Sequence, residues 1–207
     1  KPNLCQRAIA FLRTQKEFPN LRIHLRKQIP VGAGLGGGSA DASYVLSGVN
    51  KMFDLGFSGA DLEVFAAELG SDCPFFITGG LQLAQGRGEL LTKLDPLGKS
   101  VYLVLCNPQI HVATATAYAG VRPLANRASL LETFKSKGIE SIQNDFEFSV
   151  FQTFPQIQVL KNALLSAGAI YAAMSGSGSS VFGIFETAPS LSEDLSAQVI
   201  YNGLWSY

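Results

Sequence analysis

The stretch that decides the fold is Pro30-Val31-Gly32-Ala33-Gly34-Leu35-Gly36-Gly37-Gly38-Ser39-Ala40-Asp41. Five glycines stand among the seven residues from Gly32 to Gly38. Glycine gives up side-chain burial and loses the most backbone entropy on folding, so packing does not explain such a run. A tight turn would need only one or two residues with positive φ. The run therefore indicates a segment, here called the glycine loop, whose bare backbone contacts a ligand.

The segments on both sides of the glycine loop indicate what it binds. Residues 21–29 alternate apolar and polar side chains, which predicts a strand with one buried face. After the loop, apolar residues recur at helical spacing: Ala42, Val45, Leu46, Val49 and Phe53. A glycine loop that runs into a helix can turn several N–H groups toward one point, and the helix dipole adds positive potential. We predict that the loop binds the phosphates of a nucleotide, with the Ser39 hydroxyl on a phosphate or a Mg²⁺ ion.

Two common phosphate loops fit this sequence poorly. Gly32, Gly34 and Gly37 match G-x-G-x-x-G, and Asp54 lies about where a dinucleotide site has its ribose-binding acid. The half-polar strand predicted before the loop argues against that site, because a central parallel strand is apolar on both faces. A Walker A loop fails because no lysine precedes Ser39. Backbone amides, a metal and charges from elsewhere must then neutralise a triphosphate.

The composition excludes several classes of protein. Lysine plus arginine and aspartate plus glutamate number 16 each, so no net charge draws the chain to nucleic acid. The basic stretch from Arg22 to Lys27 is more typical of the wet face of a strand. Three widely spaced cysteines favour a reducing compartment, and neither they nor the two histidines have metal-ligand spacing. No apolar run is long enough for a membrane span, so we expect a cytosolic protein, or a plastid one in a plant.

Asp72 is the candidate catalytic base. Pro74 suits the first position of a short helix, so Asp72 is expected at a helix N-terminus beside apolar neighbours. Transfer of a phosphoryl group to an alcohol needs a group that accepts the hydroxyl proton. An ordinary N-cap is the alternative, and spacing alone favours the cap over the base, because aspartate is a preferred capping residue.

The remaining patterns predict two domains, residues 1–99 and residues 100–207. The first has a helix from Leu4, a capping box at Ser58 to Asp61 and a hairpin over residues 81–92. The second has strands at residues 101–106, 170–174 and 181–185, and helices at residues 114–120, 127–137 and 157–167. Its second glycine run, Ser175 to Ser180, joins two of these strands.

Taken together, the motifs resemble those of the GHMP kinases, whose central motif has the form P-x-G-x-G-L-G-S/G-S/G-S/A. Five further segments carry the resemblance: residues 69–76, 86–89, 107–118, 144–147 and 174–182. They are similar to the branch of the superfamily that phosphorylates a cytidine diphosphate sugar alcohol. Homoserine-type or mevalonate-type kinases, and a non-catalytic nucleotide-binding relative, stay open as alternatives.

The resemblance implies a two-domain α+β fold and a reaction. The first domain would be the ATP-binding domain, like domain 2 of ribosomal protein S5 but without its first strands. The second would be ferredoxin-like. ATP, with Mg²⁺, would phosphorylate the 2-hydroxyl of a small-molecule substrate, cytidine diphosphate methylerythritol, in the non-mevalonate isoprenoid pathway. No nucleic acid or membrane partner is implied, and the oligomeric state is left open.

The resemblance also implies site residues. Asp72 would be the catalytic aspartate and would contact the substrate. The ATP-binding residues would be Asn3, toward adenine, and Pro30, Gly32, Gly34, Leu35, Gly36, Gly37, Gly38 and Ser39. The other substrate-binding residues would be His111, Thr114, Tyr118, Ser175 and Gly176. The second glycine run would border the glycine loop, although a purely structural hairpin turn is an equal alternative there.

One feature of these kinases has no counterpart in the sequence. Their early strand carries a lysine that pairs with the catalytic aspartate, and nothing in residues 1–18 fits that motif. We therefore expect this lysine and the cytosine-binding residues upstream of Lys1, in a longer protein. We further expect the chain by itself to be weakly active or inactive.

Overall fold

The computed structural model describes residues 2–95, 100–121 and 128–206. The chain forms two compact units, and the division between them falls inside the glycine loop. The first unit comprises Lys1–Gln28 and Gly36–Leu97, and the second comprises Ile29–Leu35 and Gly98–Tyr207. Both contain helices and antiparallel strands. The α+β class is therefore confirmed, whereas a domain boundary at residues 99 and 100 stays a prediction.

Four helices and a hairpin make up the first unit. The helices are α1 (Leu4–Gln15), α2 (Gly37–Met52), α3 (Gly59–Leu69) and α4 (Phe75–Thr78), and the hairpin consists of β1 (Gln82–Gln85) and β2 (Leu90–Lys93). The apolar residues that predicted the helix after the glycine loop face the core of this unit. Ala42, Leu46 and Val49 are buried there against Leu12 and Ala66.

The ends of α3 are where the sequence predicts them. Ser58 is the N-cap, and its hydroxyl accepts a hydrogen bond from the Asp61 N–H while the Asp61 side chain bonds back to Ser58. Gly70 ends the helix. The predicted capping box and the predicted helix end are therefore confirmed, and Gly70 marks the point at which the chain turns toward Asp72.

The predicted strand at residues 21–29 is wrong. The segment is irregular, and the side chains of Ile23 and Leu25 are 40% and 47% exposed. A strand exists only where a neighbouring strand completes its hydrogen bonds. Among the described residues, none pairs with this segment. The alternation of apolar and polar side chains is present in the segment, but alternation alone does not supply a neighbouring strand.

A four-stranded antiparallel sheet forms the centre of the second unit. Its order is β4 (Tyr171–Met174), β5 (Val181–Phe185), β3 (Ser100–Cys106), β6 (Val199–Ser206). The helices are α5 (Thr114–Ala119), α6 (Leu130–Lys137), α7 (Glu147–Thr153), α8 (Pro155–Ser166) and α9 (Glu193–Ser196), with a 3₁₀ helix at Ile139–Ser141. Ile157, Leu160 and Leu164 of α8 are buried with the apolar residues of β4 and β5.

Most predicted elements of the second unit are confirmed, and four were missed. The helix predicted at residues 127–137 begins at Leu130, and residue 127 lies outside the described residues. The missed elements are α7, α9, β6 and the 3₁₀ helix. Strand β6 contains Asn202-Gly203, which is typical of a turn, but it pairs with β3 along its length. Pairing with a central strand here overrides the local preference.

No described helix is long and apolar enough to cross a membrane. The cellular location stays a prediction.

Candidate active site

The second half of the glycine loop forms the N-terminus of α2. Gly36 is the N-cap with φ 62°, and no side chain bonds to the first turn. The N–H groups of an uncapped first turn have no partner inside the helix, and the 16-residue helix adds its dipole to them. Gly37, Gly38 and Ser39 therefore bring an anion-binding set of N–H groups to this point.

Close packing explains why Gly36 is a glycine. A Cβ atom built on Gly36 would lie 2.9 Å from Cζ of Phe76, the second residue of α4. Its positive φ disfavours other residues as well. The start of α2 therefore lies directly against α4 and the turn that precedes it.

Lys27 places an ammonium group, ion-paired with Asp41, beside the motif. Its Nζ lies 2.5 Å from Oδ2 of Asp41 and 3.3 Å from where a Cβ on Gly37 would be. The ammonium group therefore lies beside the first turn of α2. Sequence reasoning missed it, because Lys27 was assigned to the wet face of a strand. A signal in the sequence could have identified Lys27. The motif needs a positive charge from outside itself, and Lys27 lies only three residues before Pro30.

The turn that carries Asp72 is tied to α2 by a buried hydroxyl. Ser43 Oγ lies 2.9 Å from the carbonyl oxygen of Ser39 and 2.8 Å from that of Cys73, and its single O–H is shared between these two acceptors. Ser43 and Cys73 are fully buried, whereas Asp72 is exposed. Because Cys73 follows Asp72, this contact fixes the backbone of the candidate base relative to the end of the glycine loop.

Asp72 is not a helix cap. Helix α4 begins at Phe75, one residue after the predicted start, its N-cap is Pro74, and no side chain caps it. The helix has only four residues, so the dipole expected at Asp72 is small. The carboxylate instead has Ser71 Oγ at 3.4 Å from Oδ1 and the backbone of Gly88 nearby. The capping alternative is therefore excluded, and the catalytic role stays a prediction.

Cys73 is a packing residue. It lies in the core of the first unit, and burial raises the pKa of its thiol. A buried thiol with a raised pKa is a poor nucleophile.

The first half of the glycine loop lies against the second glycine run. Ser175 Oγ donates to the Gly34 carbonyl oxygen at 2.9 Å, and the Ser180 N–H donates to that of Ala33 at 3.1 Å. A Cβ on Gly34 would overlap the carbonyl oxygens of Ser175 and Gly178. The second glycine run connects β4 to β5 and also borders the glycine loop. The two alternatives from the sequence, a structural turn and a border to the loop, are therefore both true.

Two of the other predicted substrate residues lie beside these runs. His111 Nδ1 is 2.9 Å from where a Cβ on Gly32 would be, and Thr114 Oγ1 is 3.5 Å from Ser177 Oγ. Tyr118 is 64% exposed, and its ring packs edge-on against Phe146 at 4.8 Å. The structure therefore brings His111 and Thr114 to the glycine-rich backbone, whereas Tyr118 packs against Phe146.

Asn3 has a structural role that the sequence did not suggest. Its side chain is the N-cap of α1 and accepts a hydrogen bond from the Gln6 N–H at 2.9 Å. A contact with adenine stays a prediction, as do the ATP contacts of the exposed Pro30 and the half-buried Leu35.

Family models and relatives place these features in a known family. The GHMP kinases N terminal domain model matches residues 3–80, and the GHMP kinases C terminal model matches residues 128–200. The 4-diphosphocytidyl-2-C-methyl-D-erythritol kinase of Parabacteroides distasonis is 47% identical over 187 residues, which cover 89% of this chain and 69% of that protein. The enzyme of the same name from Cytophaga hutchinsonii is 43% identical, covering 90% and 71%.

Solved structures agree with this placement. The crystal structure of a 4-(cytidine 5'-diphospho)-2C-methyl-D-erythritol kinase superposes with a TM-score of 0.81 at 32% identity, covering 99% of this chain and 78% of the other. A homoserine kinase from Cytophaga hutchinsonii gives 0.62 at 20% identity, covering 87% and 67%, which shows a shared fold alone. The predicted two-domain GHMP kinase fold is confirmed. The chain therefore belongs to the GHMP kinases, an enzyme superfamily, and within it to the family of 4-diphosphocytidyl-2-C-methyl-D-erythritol kinases.

Proposed function

We propose that this chain transfers the γ-phosphoryl group of ATP to the 2-hydroxyl of 4-diphosphocytidyl-2-C-methyl-D-erythritol, a step of the non-mevalonate isoprenoid pathway. The observation that carries the proposal is the 47% identity to a kinase of that name, which extends over 89% of this chain. The site geometry supports a phosphoryl transfer without depending on that name.

The glycine loop would bind the phosphates. The N–H groups of Gly37, Gly38 and Ser39 lie at the start of α2, and the ammonium group of Lys27 lies beside the same turn. Together they would supply the positive potential that a triphosphate needs in place of a Walker A lysine, with part of the Lys27 charge balanced by Asp41. Pro30, Gly32, Gly34, Leu35 and Gly36 would contribute the rest of the loop.

Magnesium would be held mainly by the nucleotide. Among the described residues there is no group of three or more histidine, cysteine or acidic side chains placed to hold a metal. Mg²⁺ commonly binds through substrate phosphates with few protein ligands. The Ser39 hydroxyl fits as one such ligand, and the ion would supply charge neutralisation on the phosphates.

Asp72 would act as the general base. In the transfer, the substrate hydroxyl oxygen forms a bond to the γ-phosphorus while the bond from that phosphorus to the β–γ bridging oxygen breaks, and ADP leaves. The hydroxyl proton passes to the Asp72 carboxylate. The support for this role is the exposed carboxylate on a turn that Ser43 ties to α2.

In the second unit, His111, Thr114, Tyr118, Ser175 and Gly176 would contact the substrate. The support for His111 and Thr114 is their proximity to glycine-rich backbone, and Ser175 and Gly176 belong to that backbone. Tyr118 also offers an exposed aromatic ring.

A single-turnover substrate panel tests the proposal. Excess protein is mixed with ATP, Mg²⁺ and one acceptor at a time, and phosphorylated product is measured by mass spectrometry, so that slow transfer is still detected. We expect product with 4-diphosphocytidyl-2-C-methyl-D-erythritol and none with homoserine or mevalonate. Product with homoserine or mevalonate, and none with 4-diphosphocytidyl-2-C-methyl-D-erythritol, would contradict the proposal.

A further inference from the structure

Asn144 uses its whole side-chain amide to hold the end of β4. Its Nδ2 donates to the carbonyl oxygens of Met174 at 2.7 Å and Gly176 at 2.8 Å. Its Oδ1 accepts from the Phe146 N–H at 3.0 Å. The two donated hydrogen bonds use both N–H bonds of the amide, so an aspartate of the same shape could make neither.

Glu147 holds the same residue, Met174, through the preceding peptide group. Its Oε1 accepts from the Met174 N–H at 2.8 Å, and its Oε2 lies 2.6 Å from the ammonium group of Lys161. The Glu147 side chain is only 13% exposed. Met174 is therefore bound at its N–H by Glu147 and at its carbonyl by Asn144. We call these two residues the clamp.

The residues that follow Met174 connect the clamp to the glycine loop by hydrogen bonds. Ser175 Oγ donates to the Gly34 carbonyl oxygen, and the Ser175 N–H donates to the Ser180 carbonyl oxygen at 2.8 Å. The Ser180 N–H in turn donates to the carbonyl oxygen of Ala33. A continuous set of hydrogen bonds therefore runs from the clamp through the second glycine run to Ala33 and Gly34.

Fixing these two carbonyl groups also aims two N–H groups. A trans peptide is planar, with its N–H pointing opposite to its C=O. Holding the carbonyl of Ala33 therefore sets the N–H of Gly34, and holding the carbonyl of Gly34 sets the N–H of Leu35. Both N–H groups belong to the glycine loop, where aligned backbone donors bind anions.

We infer that Asn144 and Glu147 are positioning residues for nucleotide binding, which orient the loop N–H groups of Gly34 and Leu35 through the second glycine run. The inference rests on the proposed function, because it takes the phosphates of ATP or ADP as the ligand. It gives the Asn144–Glu147 motif a role in affinity and not only in stability.

The main test is the affinity for ADP, measured by titration calorimetry with Mg²⁺ on the whole chain. In the Asn144→Asp variant we expect the Kd to rise about tenfold, the size of effect that follows from losing about one well-placed hydrogen bond. A merely structural role would lower the fraction of binding-competent protein at an unchanged Kd. Calorimetry reports that fraction separately as the stoichiometry.

The matched control is Asn162→Asp. Asn162 borders the same surface groove as Asn144, is exposed, and undergoes the same change from amide to carboxylate. We expect its Kd to stay within about twofold of the unaltered chain, because a single exposed charge interacts weakly. An equal rise in both variants would mean that charge, and not the clamp, governs the affinity.

A second variant removes the far end of the hydrogen-bonded set. Ser175→Ala should raise the Kd in the same direction, and combining it with Asn144→Asp should add little, because both changes release the same loop. Full additivity, or an Asn144→Asp chain that binds ADP as tightly as the unaltered one, would overturn the inference. A failure of the unaltered chain to bind ADP would instead contradict the proposed function as well.

Discussion

Asp72 is the single residue on which the proposed chemistry depends most. The Asp72→Asn variant keeps the shape of the side chain but cannot accept the hydroxyl proton. We predict that turnover falls by at least about 100-fold, the usual contribution of a positioned general base. The Kd for ADP should change little, because the N–H groups at the start of α2 are untouched.

Asp54→Asn is the matched control for this change. Asp54 is exposed and has a positive φ of 46°, a conformation that asparagine tolerates well. Steady-state or single-turnover rates of both variants test whether the loss of turnover is specific to Asp72. An Asp72→Asn rate close to that of the Asp54→Asn protein would remove Asp72 from its role.

Lys27 gives a second prediction at the scale of one residue. Lys27→Met removes the ammonium group beside Gly37 and leaves the Asp41 carboxylate without its partner. We predict a KM for ATP that is higher by at least about tenfold, because a charge-assisted contact contributes about 1.5–3 kcal/mol and about 1.4 kcal/mol is a factor of ten. Initial rates at varied ATP concentrations measure it.

Lys51→Met serves as the control for Lys27, since Lys51 is an exposed lysine in the last turn of α2, the helix whose first turn lies beside Lys27. Its KM for ATP should match that of the unaltered protein. The loss at Lys27 should also shrink as salt is raised, because salt screens the attraction between ammonium and phosphate. A salt-independent loss would point to a packing effect instead.

Among the elements of the fold, α2 and the turn before α4 are joined by the Ser43 hydroxyl. Ser43→Ala leaves the buried Cys73 carbonyl with one hydrogen bond fewer, since the Phe76 N–H alone then donates to it. We predict a loss of about 1–2 kcal/mol in the free energy of unfolding, measured with urea.

Ser47→Ala is the control one helical turn later. In the described structure its hydroxyl has no hydrogen bond of the kind that Ser43 makes, so its stability should stay within about 0.5 kcal/mol. Turnover should fall for Ser43→Ala and not for Ser47→Ala, because the first change frees the turn that carries Asp72. Equal effects of the two substitutions would contradict the account of this contact.

The elements also show what a sequence can predict. Capping residues such as Ser58 and helical spacing such as Ala42, Leu46 and Val49 act locally, so α2 and α3 were predicted correctly. Strands depend on partners distant in sequence. Residues 21–29 have the alternation of a strand without a described partner, and β6 pairs with β3 despite its Asn-Gly sequence.

The difference between local signals and distant contacts also decides which parts of the candidate site could be predicted. The glycine loop was predictable, because its composition has no explanation in packing. Lys27, Ser43 and the clamp were not, because their roles come from contacts with residues up to 32 positions away along the chain. No local pattern reveals the roles of such residues. The absence of a lysine before Ser39 was nevertheless a reason to look for a cation elsewhere in the chain.

At the scale of the whole molecule, the family assignment and the site geometry carry different parts of the account. The glycine loop, Lys27 and Asp72 favour a phosphoryl transfer, but they do not distinguish one alcohol acceptor from another. The acceptor comes from relatives at 43–47% identity, which this chain covers to about 70% of their length. Likeness to the homoserine kinase, at 20% identity, carries no comparable information on substrate.

The most direct measurement of the central claim is the position of the transferred phosphoryl group. After reaction of 4-diphosphocytidyl-2-C-methyl-D-erythritol with ATP and Mg²⁺, phosphorus NMR with carbon coupling identifies which oxygen has been phosphorylated. The account predicts a new phosphomonoester on the 2-hydroxyl and one ADP for each product formed. A phosphoryl group on another oxygen, or release of inorganic phosphate without phosphorylated product, would contradict it.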